Sequence, residues 1–370
     1  MAILRINATR QGAMIAPNAA GGSAPWRQAL DGALDALPDQ APVVVLVHGY
    51  RFSWATRQNS GAPFCPQTRL YSIDPKTPVQ GVWPRAANWP AGLGFTAEGR
   101  GTQGLCIAFG WDARRPVLST ILRSGRHDFV EVFDAAGAAG EALADVLTHL
   151  AARRPDLRPG FMTHSLGARV ALAAMAKAPW LTLDRAVLLG AAEFSETAEA
   201  VLAAQDRAGG TAQIYHVLSR ANDLFDALFW TLAPRRRSVE AGRPCRTLGR
   251  AGLTLRGGHR RWIDIQLDHD TTARHFQARG HGLERLGESI SHWHFYTDPG
   301  AMTAWRAILR HRPGWSIMAL REAGLDQVPA PRWSRLFPRL PRPLVDSGLP
   351  PSTGSSGAAS FGDDDRISTA

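Results

Sequence analysis

Lysine is almost missing from this chain. Only Lys76 and Lys177 stand among its 42 basic residues, so arginine carries nearly all of the positive charge. Cysteine is scarce too. Cys65, Cys106 and Cys245 are too few for a disulfide framework, their odd number leaves one unpaired, and no CxxC or Cys/His spacing of zinc type occurs. Long apolar runs are also absent. No stretch could form a transmembrane helix of about eighteen apolar residues, and the opening MAILRINATRQGAM lacks the apolar segment of a secretory signal. These absences argue against a disulfide-stapled secreted scaffold, a zinc ribbon and a membrane-spanning helical protein, and a soluble cytoplasmic protein is expected. At 370 residues and 45% hydrophobic, the chain can bury a full core as one large domain or two small ones. The formal charge of +10 raises the question of a nucleic-acid or anionic-membrane partner, because arginine neutralises phosphate well.

Apolar runs and helical patterns alternate along the chain. VVVLV at residues 43–47 is β-branched on both alternating faces, as a strand covered on both sides would be. Further strands are predicted at 105–109, 160–163, 186–189 and 214–218. Helices are predicted at 133–152, 166–178, 195–208 and 301–310, the first Ala/Leu-rich with Leu143, Val146, Leu147 and Leu150 at helical spacing. The alternation predicts an α/β fold, a doubly wound and mostly parallel sheet. Two long stretches interrupt it, 52–104 and 232–286, the second with one further strand at 262–267, and both read as insertions. Residues 1–40 read as an N-terminal segment, 41–325 as the folded domain, and 326–370 as a Pro/Arg/Ser/Gly-rich tail that cannot bury enough apolar surface to order itself.

The most informative segment is Phe161-Met162-Thr163-His164-Ser165-Leu166-Gly167. A serine hydroxyl is a poor nucleophile until a base takes its proton and the backbone presents it to an electrophile. A sharp turn from strand to helix presents it well, because the helix N-terminus adds positive potential and free N–H groups. Such a turn needs small residues two positions either side of the serine. Gly167 meets that need on the helix side, and Thr163 replaces the usual glycine on the strand side.

LVHGY at 46–50, THSLG at 163–167, an acid after a later strand and a late histidine occur in that order from Val43 to His292. Together they resemble the α/β-hydrolase superfamily, in its serine esterase or lipase-like members. The resemblance implies an eight-stranded, mostly parallel sheet. The chain is also similar to a poorly characterised serine-hydrolase branch with an S-R-x-N-D segment, here Ser219–Asp223, and a late S-H-W motif, here Ser291–Trp293. On this resemblance Ser165 is the nucleophile, and the backbone N–H groups of Tyr50 and Leu166 form the oxyanion hole. His48 orients the loop that bears Tyr50, while His164 packs beside the nucleophile.

Asp223 follows the strand at 214–218 and is the expected acid, with Glu193 and Asp226 as alternatives; as a helix N-cap it would have a purely structural role. His292 is the expected base, with His294 as its alternative. No metal or other cofactor is expected.

The chemistry implied is hydrolysis of a carboxylic ester through an acyl-enzyme. The substrate would be a small-molecule or lipid-like ester. Trp54, Phe64, Tyr71, Trp83, Trp89 and Phe95 could wall its pocket or form a satellite core, while Phe225, Phe229 and Trp230 read as the buried face of a helix. Between residues 234 and 261 nine arginines (235, 236, 237, 243, 246, 250, 256, 260 and 261) face one acid, Glu240. That charge could meet an anionic surface such as lipid headgroups, and nucleic acid is not the expected partner. A competing expectation is a hydrolase fold without turnover that acts as an interaction module through this segment.

Overall fold

The computed structural model describes residues 3–9, 12–15, 25–54, 65–71, 88–95, 104–114, 125–234, 244–254, 257–327 and 329–337. Eight strands form one sheet. They are β1 (Ile3–Thr9), β2 (Gly12–Ile15), β3 (Val43–Val47), β4 (Leu105–Gly110), β5 (Gly160–His164), β6 (Arg185–Leu189), β7 (Gln213–Leu218) and β8 (Trp262–Gln266). Their spatial order is β2-β1-β4-β3-β5-β6-β7-β8. Seven strands run parallel, and β2 alone lies antiparallel, against β1 at one edge. The chain is therefore α/β, and its central strands coincide within a residue or two with the expected ones.

Side-chain alternation divides the interior into two cores. Val43, Val45 and Val47 of β3 join one core, whereas Val44 and Leu46 join the other. Leu105, Ile107 and Phe109 of β4 divide from Cys106 and Ala108 in the same way. A strand buried on both faces has no polar side to alternate with, which is why VVVLV is an unbroken apolar run. Helices α1 (Trp26–Asp35), α4 (Gly125–Arg153) and α5 (Gly167–Lys177) supply the first core, and α11 (Pro299–Leu309) and α12 (Ile317–Glu322) the second. The 29-residue α4 begins eight residues before the helix expected at 133–152.

Residues 1–40, expected only to precede the domain, instead supply β1, β2 and α1. Arg5, Asn7 and Thr9 break the apolar run of β1 and hide it from a search for continuous hydrophobicity. Within 52–104 two short helices are described, α2 (Pro66–Arg69) and α3 (Trp89–Gly92). Tyr71, Trp89 and Phe95 are fully buried within the second core itself, so three of the six aromatics are neither pocket wall nor a separate satellite core; Phe64 and Trp83 lie outside the described residues.

The stretch 232–286 is only partly an insertion, because β8 is the last strand of the sheet and α9 (Asp270–Ala278) follows it. Asp264 in β8 anchors the preceding loop. Its carboxylate accepts from His216 Nδ1 and Trp262 Nε1, each at 2.7 Å, and from the backbone N–H groups of Leu253 and Thr254 at 2.8 and 2.7 Å. Burial alone would push its pKa up, but these donors hold it below the usual carboxylate value.

The expected tail also begins too early. Residues 329–337 pack onto the domain, because two buried carboxylates need partners there. Arg332 Nη2 donates to Asp226 Oδ2 at 2.7 Å, and the Trp333 N–H donates to Asp223 Oδ2 at 2.6 Å. Residues 338–370 lie outside the described residues. Replacing Arg332 with alanine leaves Asp226 buried without its cation. The expected loss is about 3 kcal/mol of unfolding free energy, as for other broken buried pairs, measured by urea denaturation at neutral pH.

Candidate active site

Ser165 sits where β5 gives way to α5. Its φ is +55°, a left-handed conformation that a serine keeps only where the surroundings impose it. Three backbone bonds do so. The Ser165 N–H reaches the Leu189 carbonyl at 2.9 Å, and the Ser165 carbonyl accepts from Ala168 and Ala192 at 3.0 and 3.1 Å. Crowding excludes side chains at two neighbouring positions. A Cβ on Gly167 would lie 2.3 Å from the Val47 carbonyl oxygen, and one on Gly49 would lie 2.7 Å from Ser165 Cβ. Thr163 is buried in β5, and its Oγ1 has no hydrogen-bond partner among the described residues. The turn forms with threonine in place of glycine.

The close approach of Gly49 brings the Gly49–Tyr50 peptide alongside this elbow. Leu166 caps the start of α5, and its N–H has no backbone acceptor among the described residues. Tyr50 and Leu166 both line the cavity that holds Ser165. Beneath them His48 has both ring nitrogens engaged. Nδ1–H donates to the Gly49 carbonyl at 2.9 Å, and Nε2 accepts the Trp111 N–H at 3.1 Å. The Trp111 indole N–H returns to the His48 carbonyl at 2.9 Å, and the two rings stack with 7° between their planes. Burial lowers the pKa of His48 to about 4. His48 therefore braces the Gly49–Tyr50 turn.

His292 lines the same cavity as Ser165. Its Nδ1–H donates to Asn222 Oδ1 at 2.6 Å, which leaves the lone pair on Nε2. His164 does more than pack, because its Nε2–H donates to the His292 carbonyl at 2.7 Å and ties the elbow to the loop bearing the histidine. Phe225 stacks on the His292 ring at 4.6 Å. Burial, with His164 and His294 nearby, holds the pKa of His292 well below the usual histidine value. His294 is buried at the start of α10 (His294–Thr297), outside the cavity lining, and neither of its ring nitrogens has a hydrogen-bond partner among the described residues.

Asp223 does not meet His292. Its carboxylate accepts from Arg220 Nη1 at 3.0 Å and from the Trp333 N–H, and burial raises its pKa against the opposing pull of Arg220. Residues Arg220–Asn222 form one 3₁₀ turn, and Asp223 opens α7 (Asp223–Leu232). The change from turn to helix carries Asp223 away from the ring and leaves Asn222 facing it. The alternatives are engaged elsewhere as well. Glu193 pairs with Arg169 at 2.6 Å and accepts the Phe194 N–H. Asp226 accepts from Thr247 Oγ1 at 2.8 Å and from Arg332. Asn222 is the partner that sequence reasoning missed. The S-R-x-N-D segment contains it, one position before the only charged acceptor in the motif, Asp223.

The cavity holds about 200 Å³. Phe129 from α4 and Phe225, Leu228, Phe229 and Leu232 from α7, with Trp293, make its apolar walls. Phe225, expected to be plain core, thus faces the site, and Phe229 is core as expected and also lines the cavity, while none of the described aromatics of 52–104 except Phe52 does. Trp230 is exposed. A larger hollow of about 650 Å³ opens at the N-terminal ends of β3 and β5, and neither serine nor cysteine lines it. Ligands of open parallel sheets bind at the opposite, carboxyl ends of the strands, where Ser165 stands.

Of the nine clustered arginines, Arg246, Arg250 and Arg260 are exposed, whereas Arg261 is buried against Asp206 at 2.7 Å. Arg235, Arg236, Arg237, Arg243 and Arg256 lie outside the described residues. No group of His, Cys, Asp and Glu among the described residues is arranged to hold a metal. No described helix is long and apolar enough to cross a membrane. Compared with family models, curated proteins and solved structures, the chain matches none.

The buried histidines make stability sensitive to acid. His48 and His164 have folded-state pKa values of about 4 and about 3, both below the unfolded value, so between those limits the unfolded chain binds more protons. Stability is therefore full above about pH 6.5 and falls as pH drops, by about 1.4 kcal/mol per pH unit for each of the two histidines. Urea denaturation at successive pH values measures this slope, and a flat profile would contradict the burial described.

Proposed function

We propose that the protein is a serine hydrolase of the α/β-hydrolase type that cleaves carboxylic esters through an acyl-enzyme. The observation that carries this reading is the left-handed Ser165 at the carboxyl end of β5, sharing one cavity with a histidine whose Nδ1–H is fixed. An eight-stranded, mostly parallel sheet supports the resemblance seen in LVHGY and THSLG.

His292 Nε2 takes the Ser165 proton as Oγ attacks the ester carbonyl. The oxygen of the tetrahedral intermediate gains negative charge and receives the N–H groups of Tyr50 and Leu166. When the carbon–oxygen bond to the alcohol breaks, His292 passes its proton to the departing alkoxide. Water, deprotonated by the same nitrogen, then attacks the acyl-serine. The acid leaves and the proton returns to Ser165. The phenylalanine-lined cavity suits an ester with an uncharged, apolar acyl or alcohol group, lipid-like esters included. The exposed Arg246, Arg250 and Arg260 are compatible with an anionic surface near such a substrate.

A fluorophosphonate probe should label the wild-type protein and not Ser165→Ala, and the same substitution should lower turnover of short-chain p-nitrophenyl esters by about 10⁴-fold or more. Equal labelling of both proteins would remove Ser165 from the nucleophile role. No turnover of any ester, together with salt-sensitive binding to anionic vesicles, would favour an interaction module instead.

A further inference from the structure

The residue that meets His292 Nδ1 is an amide, where a carboxylate is expected. The geometry points to Asn222 as the positioning residue of the catalytic base, a neutral acceptor that fixes the ring's tautomer without adding charge to it. The assignment rests on the serine-hydrolase reading of Ser165 and His292.

The contact is short, 2.6 Å, and directional. A carboxamide oxygen can only accept, so the ring must carry its proton on Nδ1 and present the Nε2 lone pair. Asn222 is itself held in place. Ser219 Oγ accepts the Ala221 N–H at 3.1 Å, and the Asp268 carboxylate accepts the N–H groups of Arg220 and Ala221 at 3.0 and 3.2 Å. The Ser291 N–H donates to the Ala221 carbonyl at 2.8 Å, which joins the turn bearing Asn222 to the loop bearing His292. His164 grips the His292 carbonyl from the other side. Tautomer and ring position are thus both determined before any substrate arrives.

A carboxylate at this place would do a second thing, which is to favour the imidazolium. The charged and titratable groups around His292 do not replace it. From the elbow come His164 and Ser165, from the loop His294, and from the turn after β3 Tyr50 and the cation Arg51. From the 3₁₀ turn and α7 come Arg220, Asp223 and Asp226, and Asp268 follows β8. Asp223 is matched by Arg220 and the Trp333 N–H, and Asp226 by Arg332 and Thr247. Asp268 is matched by two backbone N–H groups and by Arg335 at 3.5 Å. His164 and His294 further disfavour a positive charge on His292. The base therefore stays neutral in acid, and hydrolysis continues below the pH at which an Asp-supported histidine would be protonated.

Steady-state hydrolysis of p-nitrophenyl butyrate by the full chain, followed against pH, tests this with Asn222→Asp and Asn222→Ala. The aspartate should move the acid limb of kcat/KM upward by about one pH unit or more, because an adjacent negative charge favours the protonated ring. The alanine should lower kcat by about 10²-fold with KM within about threefold, and leave the acid limb where the wild type has it. An unmoved acid limb in a folded Asn222→Asp protein, or wild-type kcat in Asn222→Ala, would overturn the assignment. If the aspartate variant does not fold, the kcat-against-KM split of the alanine variant decides alone. Fluorophosphonate labelling of the wild type separates the two layers. Labelling with insensitivity at Asn222 removes only the role of Asn222, and absence of labelling removes the serine-hydrolase reading with it.

Discussion

The site depends on how closely the Val47–Tyr50 turn approaches the β5–α5 elbow. Parallel strands β3 and β5 are hydrogen-bonded neighbours, with Val47 opposite Thr163, so the segments that leave their carboxyl ends must share the same small space. Gly167 and Gly49 make that sharing feasible, since a Cβ at either would overlap backbone or the serine itself. The result is a serine held by packing in a left-handed conformation, in a cavity that Tyr50 and Leu166 also line. His48, bonded to Gly49 and to Trp111, keeps the turn from relaxing. On the proposed reading, preorganised donors such as the Tyr50 and Leu166 N–H groups would act without reorganising when charge develops, so the rigidity of this backbone would serve catalysis.

Arginine's dominance over lysine has an architectural part. Arg220 is almost fully buried and reaches Asp223 at 3.0 Å and the Gly249 carbonyl at 3.1 Å. Arg261 joins Asp206 to the Ala212 carbonyl, and Arg185 reaches the Ile308 carbonyl at 2.8 Å. Arg169 lies 3.5 Å over the Phe133 ring while pairing with Glu193. Arg169, Arg220 and Arg261 each reach partners from two different guanidinium nitrogens, a planar spread of donors that a single ammonium nitrogen lacks. The count of 42 basic residues therefore overstates the free cations offered to a partner, while these one-to-one pairings leave the net charge of +10 unchanged.

The centre of the fold was legible because burial on both faces writes itself as an unbroken β-branched run, and the elbow because its steric demands fall on fixed positions. The edge at β1 was not, because Arg5, Asn7 and Thr9 interrupt its apolar pattern; β8 was expected at 262–267, but within an insertion rather than as the last strand of the sheet. The side chain that meets His292 Nδ1 lies one residue before the expected Asp223. Chemistry alone favoured Asp223, and only the 3₁₀ turn that ends at Asn222 shows which side chain faces the ring. The cavity walls were misread for a related reason, since a helix such as α7, apolar on several sides, does not reveal in sequence which side is core and which is pocket. The packing of residues 329–337 was hidden as well, because the carboxylates that hold Arg332 and Trp333 lie about a hundred residues earlier.

Taken together, the left-handed elbow, the tautomer-fixed histidine and the apolar cavity support the proposed acyl transfer to Ser165. The most direct measurement is the mass of the protein caught during the first turnover of p-nitrophenyl acetate, with the modified peptide located by fragmentation. The account predicts one acetyl group per chain, on Ser165, formed in a burst that matches the enzyme concentration. An unmodified Ser165 during turnover, or an acetyl group carried by another residue, would contradict it.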